Sequence, residues 1–135
     1  GVYGAPPPGV VRLGSTPASE CACRVRQRTE DPCTLAQAFD TSCPLGPWIV
    51  PDLDTEDLRI QARVDGETRQ DGTTRDMIYD VATIVSLASE IFTMLPGDVI
   101  LTGTPAGVGP IVHGNRVEIE IEGIGVLTNP VIRRH

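Results

Sequence analysis

The sequence predicts an α+β fold with β-structure dominant: a mixed β-sheet roll served by one main helix over about residues 78–93. Three observations carry this. Leu58 to Val64 alternates apolar and polar residues strictly, the pattern of a half-buried strand. Met77, Ile78, Val81, Ile84, Val85, Ala88, Ile91 and Phe92 recur at helical spacing. Arg116 to Glu122 alternates again and runs into a turn bracketed by Gly123 and Gly125.

In chain order, residues 1–30 hold Pro6-Pro7-Pro8-Gly9, Pro17 and the basic trio Arg24, Arg26 and Arg28. No period of 2 or 3.6 persists there, so the segment reads as an irregular leader, with the folded domain over residues 31–135. Leu58, Ile60, Ala62 and Val64 share one face of the first strand, and Arg59, Gln61 and Arg63 the other. Asp65-Gly66 is a hairpin dipeptide, and Glu67 to Gln70 forms the return. Thr74 and Asp80 are both acceptable helix caps, and Pro96-Gly97-Asp98 stops the helix. Val99 to Thr102 reads as a short apolar strand that opens into the loop Gly103-Thr104-Pro105-Ala106-Gly107-Val108-Gly109. Val126 to Val131 is the last strand, and Trp48 is expected to pack in the core.

The charge balance narrows the function. Eighteen Asp and Glu stand against 11 basic residues, all arginine, for a net charge of -7. A chain this acidic lacks the electrostatic footprint of a nucleic-acid or anionic-membrane binder. With 40% hydrophobic residues it is too apolar to be wholly disordered. No apolar run reaches the roughly 18 residues that span a bilayer. The start, GVYGAPPPGVV, lacks the charged and apolar regions of a signal peptide, so a cytoplasmic location is expected. Cys21, Cys23, Cys33 and Cys43 lack paired C-x-x-C spacing and read as scattered thiols.

Four linked runs carry a resemblance: LAQAFDTSCPLGPWIV from Leu35, RVDGETRQDGTTRDMIYDV from Arg63, PGDVILTGTPAGVG from Pro96, and VEIEIEGIGVLTNPV from Val117. Over about residues 34–133 the chain resembles the C-terminal half of the catalytic domain of the fumarylacetoacetate hydrolase family. The resemblance implies a β-rich roll, truncated here, that forms a homodimer and binds Mg²⁺ or another divalent cation. It also implies a small 2-oxo or enolisable carboxylate as substrate. C–C hydrolysis, decarboxylation, and isomerisation or hydration of the 2-hydroxyhepta-2,4-diene-1,7-dioate type are the reactions in view. One chemistry joins them, because a hard cation chelates a carboxylate with its neighbouring keto oxygen and stabilises the enolate.

Carried over residue by residue, the resemblance places Gln37 where the family motif K-x-F-D-T has its lysine. Glutamine donates a hydrogen bond but neither carries charge nor exchanges a proton near neutral pH. Thr41, the threonine of that motif, is implied to sit beside the metal or its water. Gly103 and Thr104, from the T-G-T motif, are implied to contact the substrate carboxylate. The family's Glu-x-Glu metal pair would precede residue 1. Its third carboxylate lies in a stretch N-D-x-x-A-R-D-x-Q expected within residues 1–30, where Glu20 and Glu30 are the acidic residues. Metal binding is therefore expected to be impaired. Translation of residues 1–28 in a shifted frame would account for the leader's composition. Two alternatives to an active enzyme follow: a catalytically silent remnant, or a non-enzymatic binding or structural subunit on the same scaffold. Glu118, Glu120 and Glu122 read as the wet face of a strand, and His113 as part of an exposed turn.

Overall fold

The computed structural model describes residues 12–22, 37 and 39–133. Its elements are β1 (Arg59–Val64), β2 (Glu67–Thr73), a 3₁₀ turn (Thr74–Asp76), α1 (Val81–Ile91), β3 (Arg116–Ile121) and β4 (Gly125–Pro130). The four strands form one sheet in the order β2-β1-β3-β4. All three pairings are antiparallel, so the mixed sheet expected from sequence is antiparallel throughout among the described residues.

Alternation fixes the two faces. On one, Ala62 stands opposite Ile119, which stands opposite Leu127. Ala62 and Leu127 are buried, as is Ile124 in the β3–β4 turn. On the other face, the Arg63 guanidinium lies 2.7 Å from Glu120 and 3.5 Å from Glu118, and Arg116 lies 2.9 Å from Glu118. The Glu-x-Glu-x-Glu run is thus held by arginines on the polar side of the sheet. Glu122, past the strand end, accepts from the Arg59 N–H at 3.1 Å. The β1–β2 turn is Asp65-Gly66 as expected, with positive φ at both residues. The Asp65 carboxylate also accepts from Asn115 and from the Arg116 N–H, each at 2.7 Å, which pins that turn to the start of β3.

The structure selects Asp80 as the helix cap, its carboxylate accepting the Thr83 N–H at 2.7 Å. Helix α1 is consequently shorter than the 78–93 span, because Asp80 is an extended cap that starts it at Val81 and Phe92 leaves helical geometry. Val99 to Thr102 is not a strand: it runs irregularly with Val99 and Leu101 exposed. Its onward loop meets the β2 edge through side chains instead of ladder bonds, as set out below. Trp48 is 64% exposed, so it is not a core residue; its indole lies over the β3–β4 turn at Gly125. His113 is exposed as expected, its Nδ1 accepting from the Arg133 N–H at 3.2 Å.

Among the described residues, two carboxylates have their pKa lowered in the fold. Asp80 is held down first by the Thr83 backbone N–H. Asp71 is held down first by its hydrogen bond to Arg59, then by Gln61. The stability these contacts add is complete above the usual aspartate value of about 4, and is lost as pH falls through the lowered folded values. Thermal melting measured downward from about pH 6 should show a fall below about pH 4, and Asp71→Asn with Asp80→Asn should flatten it.

Candidate functional site

The β1–β2 ladder carries a bulge. Ala62 pairs with Gln70 while Arg63 pairs with Thr68, so Arg69 is an extra residue on β2. Counting onward from the Asp65-Gly66 turn without the bulge, Arg69 would oppose Ala62 on the apolar face. With it, Gln70 takes that place, half-buried at the sheet edge.

The loop after Thr102 closes over this spot. The Gln70 side-chain amide donates to the Pro105 carbonyl at 2.6 Å and to the Thr104 hydroxyl at 2.8 Å. Gly72 passes beneath Pro105, where an added Cβ would meet the proline ring at 3.0 Å. Gly107, at φ +105°, lies against the bulged residue, where an added Cβ would stand 2.1 Å from the Arg69 carbonyl oxygen. Thr104 is left exposed on a loop clamped at three points, beside Gly103 at φ +111°. The hydroxyl and the neighbouring backbone present donors to an oxygen-rich ligand.

A second group of predicted residues lies along another pairing. Ser15 and Val50 exchange both backbone hydrogen bonds at 2.9 Å; the Ser19 N–H reaches the Pro44 carbonyl, and the Cys21 N–H the Ser42 carbonyl. This register sets Glu20 beside Cys43. Burial pushes the Cys43 thiol pKa up, and Glu20 and then Cys21 add to it. Buried Ser42 donates its hydroxyl to the Gln37 carbonyl at 2.5 Å, which ties the Gln37 backbone to this segment. Thr41 is exposed with φ +67°. Leu53 reaches the β3–β4 turn at Gly123, and Trp48 reaches it at Gly125.

Pro105 lies against Gly72 and Trp48 against Gly125, the two ends of a single cross-strand row through Ile60 and Ile121. Those two ends of the row are about 14 Å apart at three strand spacings. None of the hydrogen bonds among the described residues links Thr104 to Gln37, Thr41 or Ser42. Among the described residues, no group of three His, Cys, Asp or Glu side chains comes together that could hold a metal ion. Cys21 and Cys43 are free thiols, while Cys23 and Cys33 lie outside the described residues.

A family model, the fumarylacetoacetate (FAA) hydrolase C-terminal model, matches residues 12–132. The chain belongs to the fumarylacetoacetate hydrolase family. The crystal structure of a 5-carboxymethyl-2-hydroxymuconate delta-isomerase from Mycobacterium smegmatis is similar at a TM-score of 0.88 and 48% identity, over 91% of this chain and 49% of that one. Protein Rv2993c of Mycobacterium tuberculosis is 50% identical over 90% of this chain and 47% of its own length. A maleylpyruvate hydrolase from Sphingobium, solved with manganese(II) and pyruvate, is similar at a TM-score of 0.72 and 38% identity, over 75% of this chain and 39% of that one. The chain thus spans about half the length of these curated relatives.

Within the fumarylacetoacetate hydrolase match, residues 12–30 fall inside the matched range, so the boundary at residue 30 is a change of composition and not the edge of the match. Laid from Ser19, the pattern N-D-x-x-A-R-D-x-Q keeps its arginine at Arg24 and its glutamine at Gln27. It sets Glu20 at the first aspartate. Serine, cysteine and valine stand at three other letters of the pattern, so spacing is the signal that aligns it. Gln70 carried no such signal, since its place depends on the bulge.

The two glycine contacts separate strain from collision. Gly97 has φ +98° and open space around it, so Gly97→Ala should cost about 1 kcal/mol of backbone strain. Gly107→Ala adds a clash with backbone and should cost about 3 kcal/mol, read by denaturant unfolding.

Proposed function

We propose that the chain forms the carboxylate-reading part of a fumarylacetoacetate hydrolase-family site for small, enolisable 2-oxo carboxylates, with tautomerisation or isomerisation as the reaction. The clamped loop with its exposed Thr104 hydroxyl carries this reading. An enolisation needs the substrate's carboxylate fixed so that the keto group and the adjacent C–H bond lie in a constant place. A loop held at Gln70, Gly72 and Gly107 does that with little motion left to lose on binding.

Thr104 supplies a directed O–H donor, and the positive-φ backbone at Gly103 lets a ligand approach closely. Gln37 holds no proton to exchange near neutral pH, so its part is to donate a hydrogen bond. Decarboxylation and C–C hydrolysis start from the same bound carboxylate and pass through the same enolate, so they are the runner-up chemistries. Similarity to the Mycobacterium smegmatis delta-isomerase, at 48% identity, favours the first class.

Ultraviolet monitoring of oxaloacetate keto–enol interconversion tests the reading. The chain should accelerate it, and Thr104→Val should lower kcat/KM about tenfold or more, the value of a hydrogen bond to a charged group. Rates equal to the uncatalysed one would defeat the enzymatic reading and leave a binding-only chain.

A further inference from the structure

We propose that Gln70 is a positioning residue that locks the Thr104 hydroxyl as a donor, and so turns its proton toward the carboxylate of a ligand. This rests on the carboxylate-reading function above and adds the residue that sets its polarity. A glutamine amide presents NH₂ on one side and C=O on the other, and its neighbours decide which faces them. The Pro105 carbonyl only accepts, so the atom 2.6 Å from it is the amide nitrogen. The second proton of that nitrogen goes to the Thr104 oxygen at 2.8 Å.

Thr104 Oγ1 accepts from Gln70, so its own proton points elsewhere. Thr104 is exposed, which leaves that proton on the open side of the loop. A hydroxyl held this way keeps its proton for an acceptor such as a carboxylate oxygen. The bulge at Arg69 supplies the placement, since it sets Gln70 opposite Ala62 on the face the loop covers.

Glutamate at position 70 reverses the lock. Ionised, it accepts the Thr104 proton and faces the Pro105 carbonyl with no proton to give. Protonated, it donates again. Calorimetric titration of the full chain with pyruvate, comparing wild type, Thr104→Val, Gln70→Glu and the double variant, reads this directly. Thr104→Val and Gln70→Glu should each weaken binding about tenfold or more. The double variant should bind no worse than Thr104→Val alone, because Gln70 acts through that hydroxyl.

Affinity of Gln70→Glu should recover as pH falls through about 4.3, the ordinary glutamate value, while wild type shows no such rise. If Gln70→Glu fails to fold, Gln70→Met removes the donor without charge and should again weaken binding only where Thr104 is present. Equal losses from the Gln70 change with and without the Thr104 hydroxyl would mean a field or structural effect and would overturn the inference. So would a Gln70→Glu variant that binds as wild type does. Wild type that ignores pyruvate, or Thr104→Val that binds normally, overturns the carboxylate reading itself and the inference with it.

Discussion

One extra residue in β2 sets the geometry on which the site depends. A strand alternates its side chains with a period of two, so a single insertion exchanges the faces of everything beyond it. Arg69 is that insertion. It keeps Thr68 on the charged face with Arg63 and turns Gln70 onto the apolar face with Ala62. The carbonyl of Arg69 is the surface against which Gly107 closes. Without the bulge an arginine would face Ala62, and the loop would meet neither its hydrogen-bond donor nor its backbone seat.

The sheet divides its work between its two sides. Arg63, Arg116, Glu118 and Glu120 pair with one another on the polar face, where their charges are satisfied and partly screened. The apolar face carries the row from Gln70 through Ala62 and Ile119 to Leu127. Edge strands present unpaired backbone, and here the β2 edge is met by the loop at Gly72 and Gly107. The pairing of residues 15–21 with 42–50 brings Glu20 beside Cys43 and Cys21 beside Ser42.

Legibility in the sequence followed the physics of each element. β1 and β3 alternate without interruption, so their extents were readable to within a residue of Arg59–Val64 and Arg116–Ile121. The hairpin turn was readable because Asp65-Gly66 accepts the positive φ that its geometry demands. The helix was readable in kind but not in length, because Met77 and Ile78 keep the apolar period while the chain is still outside α1. Val99 to Thr102 and Trp48 were misread since burial belongs to the surface that covers a residue, and hydrophobicity alone does not supply that surface. Of the site, Gly103 and Thr104 were visible as a motif, whereas Gln70 was invisible: a bulge has no letter of its own.

The Gln70 amide spends both of its protons on the 104–105 loop, and its side-chain signals in a ¹⁵N–¹H spectrum of the full chain test this most directly. The account predicts two separate resonances that exchange slowly with water. In Thr104→Val one of them should shift, and the other, held by the Pro105 carbonyl, should stay. Two signals in fast exchange at the positions of a free glutamine, indifferent to Thr104→Val, would contradict it.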